Sequence, residues 1–206
     1  MRNKSSLYCM LPLNFCILCL CFTSICVPAE LGFEAEDADV FIPVMAAFDD
    51  PTASGGKFIA AGLGGGGRQA GWAEYILDIF VDGKYTVWGR ILTINDGTDS
   101  LHVTMDDDNS PQAADAEKIW DTGQPFIEWT WSKVVWREDN ALAFELDKGQ
   151  HTLYIWSREG NTRLDAIYMS TDANATPKLP DEVEEQGPQM VDVTDKLTTT
   201  WGSIKE

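Results

Sequence analysis

Between Trp72 and Ile94 the chain alternates with a period of two, and no other feature restricts its fold so strongly. Successive Cβ atoms of a strand point to opposite sides. Ala73, Tyr75, Leu77, Ile79 and Val81 therefore share one face, and Trp72, Glu74, Ile76, Asp78 and Phe80 share the other. Asp82-Gly83 is a tight-turn signal, after which Lys84 to Ile94 resumes as a second strand rich in β-branched and aromatic residues. Phe33–Glu36, Lys57–Ala60, Leu101–Met105, Trp131–Val135, Ala141–Leu146, His151–Ser157 and Arg163–Met169 read as further strands, punctuated by Asp-Asn, Lys-Gly and Glu-Gly-Asn turns. Short strands at this spacing, without a convincing amphipathic helix, predict an all-β sandwich. One short helical turn near Ala113–Lys118 is the exception.

The ends differ in character from this middle. Arg2 and Lys4 precede an apolar run from Leu11 to Val27, and Val27 and Ala29 occupy the −3 and −1 positions before Glu30. Residues 1–29 thus read as a secretory signal, and the protein as secreted or associated with the cell surface. The run is interrupted by Pro12 and Asn14 and barely reaches the ~18 apolar residues of a spanning helix, so no membrane insertion is expected once it is removed. All five cysteines, Cys9, Cys16, Cys19, Cys21 and Cys26, lie inside it. The mature chain then has no disulfide and no thiolate metal site, and it holds together by its core or with a bound ion. It carries 13 basic against 33 acidic residues, a net charge of −20, with no basic patch for nucleic acid. Residues 30–173 form the expected domain. From 174 to 206 an acidic, proline-containing linker leads to a terminal stretch, Met190–Glu206, that reads as an added strand or a processing tag.

Five stretches in order carry a family likeness: Phe33-Glu34-Ala35-Glu36; Ser54-Gly55-Gly56-Lys57-Phe58; Gly71-Trp72-Ala73-Glu74-Tyr75 with Gly83-Lys84-Tyr85-Thr86-Val87; Gly149-Gln150-His151-Thr152-Leu153; and Leu164-Asp165-Ala166-Ile167. In their order and spacing the chain resembles carbohydrate-binding module families 6 and 35, which are galactose-binding-domain-like, calcium-containing β-sandwich jelly rolls. The resemblance implies a structural Ca2+ held by Glu34, Glu36, the main chain near Lys57, and Asp165. Read from the residues alone, Glu34 and Glu36 lie two apart, and on a strand their carboxylates share a face; that pattern suits a solvated acidic edge more often than a hard cation.

The eight tryptophans all lie beyond residue 30. Sugar rings stack their apolar faces on indole while hydroxyls need polar groups alongside. Trp120 and Trp129, both candidate sugar contacts, flank the segment Asp121–Glu128, and Trp131 follows. The resemblance places the ligand platform at Trp129, with Trp131 packed in the sandwich, and it puts Arg163 where the family often has an asparagine. A guanidinium there suits an acidic sugar, because it pairs with a carboxylate in bidentate fashion. The strand faces bearing Trp88 with Arg90, and Tyr154 with Trp156, offer a second place for a cleft.

Other signals carry nothing. The glycine run Gly62–Gly67 precedes no helix, Asp106-Asp107-Asp108-Asn109 lacks the spacing of a calcium loop, and neither His102 nor His151 sits in a zinc or nucleophile motif. The expected function is non-catalytic binding of a polysaccharide or glycan. Two alternatives stand beside it: a structural or adhesion module that contacts protein, and a carboxylate-pair glycoside hydrolase.

Overall fold

The computed structural model describes residues 27–63, 70–108, 119–123, 125–136 and 142–184. Twelve strands pair antiparallel throughout: β1 (Glu30–Glu34), β2 (Val40–Ile42), β3 (Met45–Asp49), β4 (Lys57–Ala61), β5 (Trp72–Ile79), β6 (Gly83–Leu92), β7 (Ser100–Met105), β8 (Ile119–Asp121), β9 (Thr130–Lys133), β10 (Phe144–Leu146), β11 (Gly149–Ser157) and β12 (Arg163–Ser170). Five of them make one sheet in the order β2-β5-β11-β7-β8. The second sheet runs β10-β6-β12-β4-β3, with β1 added to β12 and β9 to β6. The two sheets face each other as a jelly-roll β-sandwich, the all-β class the alternation predicts.

The period-two pattern determines which side chains fill the gap. Ala73, Tyr75, Leu77 and Ile79 of β5 point inward with Leu153 and Ile155 of β11, and meet Tyr85, Val87, Ile91, Leu164, Ile167 and Met169 from the opposite sheet. The Tyr75 hydroxyl, wholly enclosed, donates to the Ala35 carbonyl at 2.6 Å, which removes the cost of burying it. Trp120 lies in the same layer. A Cβ on Gly89 would stand 2.4 Å from its ring and 2.8 Å from Leu164, so only glycine lets β6 approach that indole.

Several expectations are corrected. The Asp82-Gly83 turn does not join two strands of one sheet; β5 and β6 lie in different sheets, and the turn carries the chain across the sandwich. Phe80 and Val81 leave the alternation there and are both 44% exposed. β1 ends at Glu34, and Ala35–Asp37 is a 3-10 turn, so Glu36 is not the next residue of a strand face. Strands β2, β3 and β8, of three to five residues, escaped the sequence reading. The Ala113–Lys118 turn and the stretch 190–206 fall outside the described residues.

Both borders of the expected domain make contacts. Ala29 is buried, its amide donates to Thr171 Oγ1 at 2.9 Å, and its carbonyl accepts from the Thr171 amide at 3.0 Å. Residues 174–184, expected to begin a linker, lie back across β1 instead. A Cβ on Gly32 would meet Val183 at 2.7 Å and Pro180 at 3.3 Å, and Lys178 pairs with Glu30 at 2.6 Å. Proline-rich composition suggested a linker, but a proline strap needs only an apolar floor and one ion pair to lie down.

Candidate functional site

The carboxylates expected to bind a cation come together around the turn Ser54–Gly56. The pairing of β12 with β6 shifts register between Leu164 and Ala166, and this bulge re-aims Asp165, which is wholly buried. Glu34 lies opposite Ala166 in the β1 pairing, beside that bulge. Gly55 has φ +61°, and a Cβ on it would stand 2.7 Å from Glu36 Oε1 and 3.3 Å from Glu34 Cδ. Glycine is therefore required twice, for the left-handed backbone and for the close approach.

Glu34 Oε1 accepts from Ser54 Oγ at 2.8 Å, and Asp165 Oδ2 is paired with the Arg90 guanidinium. Glu34 Oε2, Glu36 Oε2 and Asp165 Oδ1 are buried with no hydrogen-bond donor. Burial pushes all three carboxyl groups above their ordinary values. For Asp165 the value reaches about 6, burial outweighing the nearby Arg90 while Glu34 adds repulsion. Buried oxygens without donors are costly, and an oxygen-seeking cation is the kind of group that relieves them. Among the described residues, no three His, Cys, Asp or Glu side chains converge to hold a metal by themselves. Main-chain oxygens near Lys57 would have to complete the set; the Lys57 side chain itself is exposed. The residues present fit a calcium ion on these terms, with Asp165 half committed to Arg90.

Trp129 stands at the loop end of the sandwich and is half-buried. Its Nε1 donates to Thr52 Oγ1 at 3.2 Å, and that hydroxyl donates to Asp50 Oδ1 at 2.6 Å, a relay that fixes the ring. The indole lies 5.7 Å from Phe58, which stacks on Phe48 at 5.7 Å. Arg163 lies over the same Phe58 ring at 5.1 Å, its Nε held by Asn161 Oδ1 at 2.9 Å. Arg90, besides pairing with Asp165, stands 5.7 Å from the Trp129 ring centre. Trp129 and Arg163 thus share Phe58 as a common floor, and Arg90 joins the indole to the buried carboxylates. Chemically, the cluster offers an indole for stacking and two guanidinium groups for oxygen acceptors.

Trp120 must be withdrawn from the expected sugar contacts. It is 2% exposed, its Nε1 reaches Ser132 Oγ at 3.3 Å, and its ring fills the core over Gly89. An indole with no free face cannot stack on a sugar. Trp131 lies in β9, half-buried, edge-on to Tyr168 at 6.4 Å. Trp88 and Trp156 do not form one face, because β6 and β11 belong to opposite sheets. Trp156 is instead sandwiched on the outer side of the five-stranded sheet, 4.6 Å from Trp72 and 5.7 Å from Tyr154.

Sequence reasoning missed Arg90, Phe58, Thr52 and Asn161 as members of the cluster. Only Asn161 carries a local signal, standing in the Glu-Gly-Asn turn with φ +64°. Arg90 reads as any alternating strand residue until the bulge at Asp165 is known.

No protein-family model matches the chain. No curated protein matches it either. Among solved structures it is similar to a family 35 carbohydrate-binding module from Clostridium thermocellum, at 13% identity over 68% of this chain and 97% of that one, with a TM-score of 0.49. It is also similar to the C-terminal family 6 module of a marine laminarinase from Zobellia galactanivorans, at 12% identity over 69% and 99%, with a TM-score of 0.47. A family 6 module of Cellvibrio mixtus lichenase 5A, solved with cellotriose, is similar at 19% identity over 68% and 95%, with a TM-score of 0.46.

Proposed function

We propose that this chain is an exported, non-catalytic carbohydrate-binding domain whose ligand lies against Trp129. The observation that carries the reading is a half-exposed indole at the loop end, oriented by the Thr52–Asp50 relay and accompanied by Arg163 and Arg90. A sugar ring stacks on the indole, and the guanidinium of Arg163 favours a ligand that carries a carboxylate. Glu34, Glu36 and Asp165, with main-chain oxygens near Lys57, hold a calcium ion that joins the first and last strands. The ion supplies positive charge to buried carboxylates and takes no part in any reaction.

A glycan array paired with a reducing-sugar assay tests this reading. Binding without release of reducing ends is the expected result, and turnover would overthrow it. Trp129→Ala should weaken binding at least thirtyfold, the scale of losing one aromatic anchor at ~2 kcal/mol. Arg163→Ala should weaken uronate-containing glycans more than neutral ones. The second reading places the sugar on the outer face of the five-stranded sheet, against the partly exposed Trp72 and Tyr154 that pack on either side of the buried Trp156. Loss of binding in Trp72→Ala with Trp129→Ala unaffected would favour it.

A further inference from the structure

β2 pairs with β5 only from Trp72 to Glu74, so the remaining half of β5, Tyr75–Ile79, has no strand along that side among the described residues. Asp39 Oδ2 accepts from the Ile76 amide at 2.7 Å and closes only the first of those positions. Between this half-strand and β1 runs an open groove of about 520 Å³. Ile76, Phe80 and Val81 line it with 48%, 44% and 44% of their surface exposed, and Val183 forms part of its opposite wall. An unpaired strand edge beside exposed large apolar side chains is the arrangement that proteins ordinarily cover.

We propose that the groove seats the chain's own segment 190–194, added along the free half of β5. Glu184, the last described residue before that segment, itself lines the groove. Five residues lie between it and Met190, a reach of roughly 20 Å when extended, against about 13 Å for the open length of β5. Gly187-Pro188, a turn signal in the sequence, lies between them. Met190-Val191-Asp192-Val193-Thr194 alternates with a period of two, so Val191 and Val193 face the groove while Asp192 and Thr194 face water. Lys196 follows two residues later, and the groove carries Asp37, Asp39 and Asp78 to receive its charge. The added strand would work by main-chain pairing with alternate side chains in an apolar slot, the mode by which extended peptides complete a sheet edge.

Hydrogen exchange on the full chain tests the seat. The amides of residues 76–81 should exchange slowly in the wild type. In a Val191→Asp/Val193→Asp variant they should exchange at least tenfold faster, with a rise in binding of an apolar dye. Exchange in β11 and β12 serves as the control and should not change. Ile76→Asp, altering the groove from its own side at a half-exposed position, should release the same segment and speed exchange in residues 190–194. Equal exchange of 76–81 in wild type and double variant overturns the proposal. Protection that grows with protein concentration, alongside a dimer mass by light scattering, also overturns it, because a second copy would then be the occupant.

Discussion

The buried carboxylates make an unusual demand on how stability depends on pH. Asp165 has no exposed surface, and its carboxyl is raised to about 6 from an ordinary 3.8. The folded state thus holds this proton more tightly than the unfolded chain does. The stabilisation is fully present below the unfolded value and is lost as pH rises through about 6. A shift of this size corresponds to about 3 kcal/mol, or roughly 6–12 °C in melting temperature for a domain of this length. Glu34 and Glu36 are displaced upward and act in the same direction.

Without divalent cations the protein should therefore melt higher at pH 5 than at pH 7, opposite to the usual loss on acidification. Glu30 and Asp50 are held below their ordinary values, so their contributions disappear only at lower pH, whereas Asp99, raised to about 6 by burial, and His151, raised by Asp106, act within the window in the same direction as Asp165. Calcium at a hundredfold excess over its dissociation constant should add about 2.7 kcal/mol. That increment should be largest at pH 7 and shrink toward pH 5, because the ion must displace protons from the same oxygens. Scanning calorimetry in chelator and in calcium, at intervals between pH 5 and 7.5, measures both slopes. Asp165→Asn should make the chelator curve shallower, leaving the slope that Asp99 and His151 contribute. A wild-type melt in chelator that falls between pH 7 and 5 in parallel with Asp165→Asn refutes the reasoning, as does a calcium increment that is equal at both ends.

Gly89→Ala should destabilise by about 3 kcal/mol or more, since its new methyl meets the ring of Trp120 and Leu164 in a filled core; a denaturant midpoint within error of wild type would contradict the packing. A chain beginning at Glu30 should unfold more easily than one beginning at Val27 by about 1–2 kcal/mol, because it lacks both Ala29–Thr171 hydrogen bonds; equal melts would contradict the weight given to those bonds. His151 adds a smaller effect of its own. Asp106 Oδ2 at 2.6 Å and the Asp147 carbonyl at 2.9 Å face its two ring nitrogens, and its ring is raised above the usual histidine value, chiefly by the Asp106 carboxylate. Its stabilisation is present below pH 6.5 and lost as pH rises through the folded value, so His151→Asn should remove a stability step near neutrality that denaturant titration would otherwise show.

Trp72–Ile79 was legible because its alternation is local and announces the buried face residue by residue, whereas Arg163–Ser170 is buried on both faces and reads as a largely apolar run. What sequence does not carry is which sheet each strand joins. Trp88 and Trp156 alternate alike, yet one stands outside the seven-stranded sheet and the other outside the five-stranded sheet. Trp120 and Trp129 illustrate the same limit at a single site. Nine positions apart, both flank a loop, and only the fit of one indole over Gly89 separates core from surface. The carboxylates of Glu34 and Glu36 were legible as a pair but for the wrong reason, since a 3-10 turn rather than a strand face aims the second. Arg90 was read only as part of a strand face with Trp88, because its pairing with Asp165 depends on a bulge 75 residues away.

The placement of the chain's entry bears on how such a domain could be carried. Ala29 joins Thr171 at the C-terminal end of β12, whereas Arg163 begins that strand beside Phe58 and the Trp129 indole. Eight strand residues, about 25 Å of extended backbone, lie between the two poles. Anything attached ahead of Val27 therefore pulls on the pole opposite the indole, like a handle fixed to the base of a cup. A bulky fusion at that end should leave access to Trp129 unobstructed, and a force applied there loads β1 and β12 lengthwise, so that all the hydrogen bonds between them resist together.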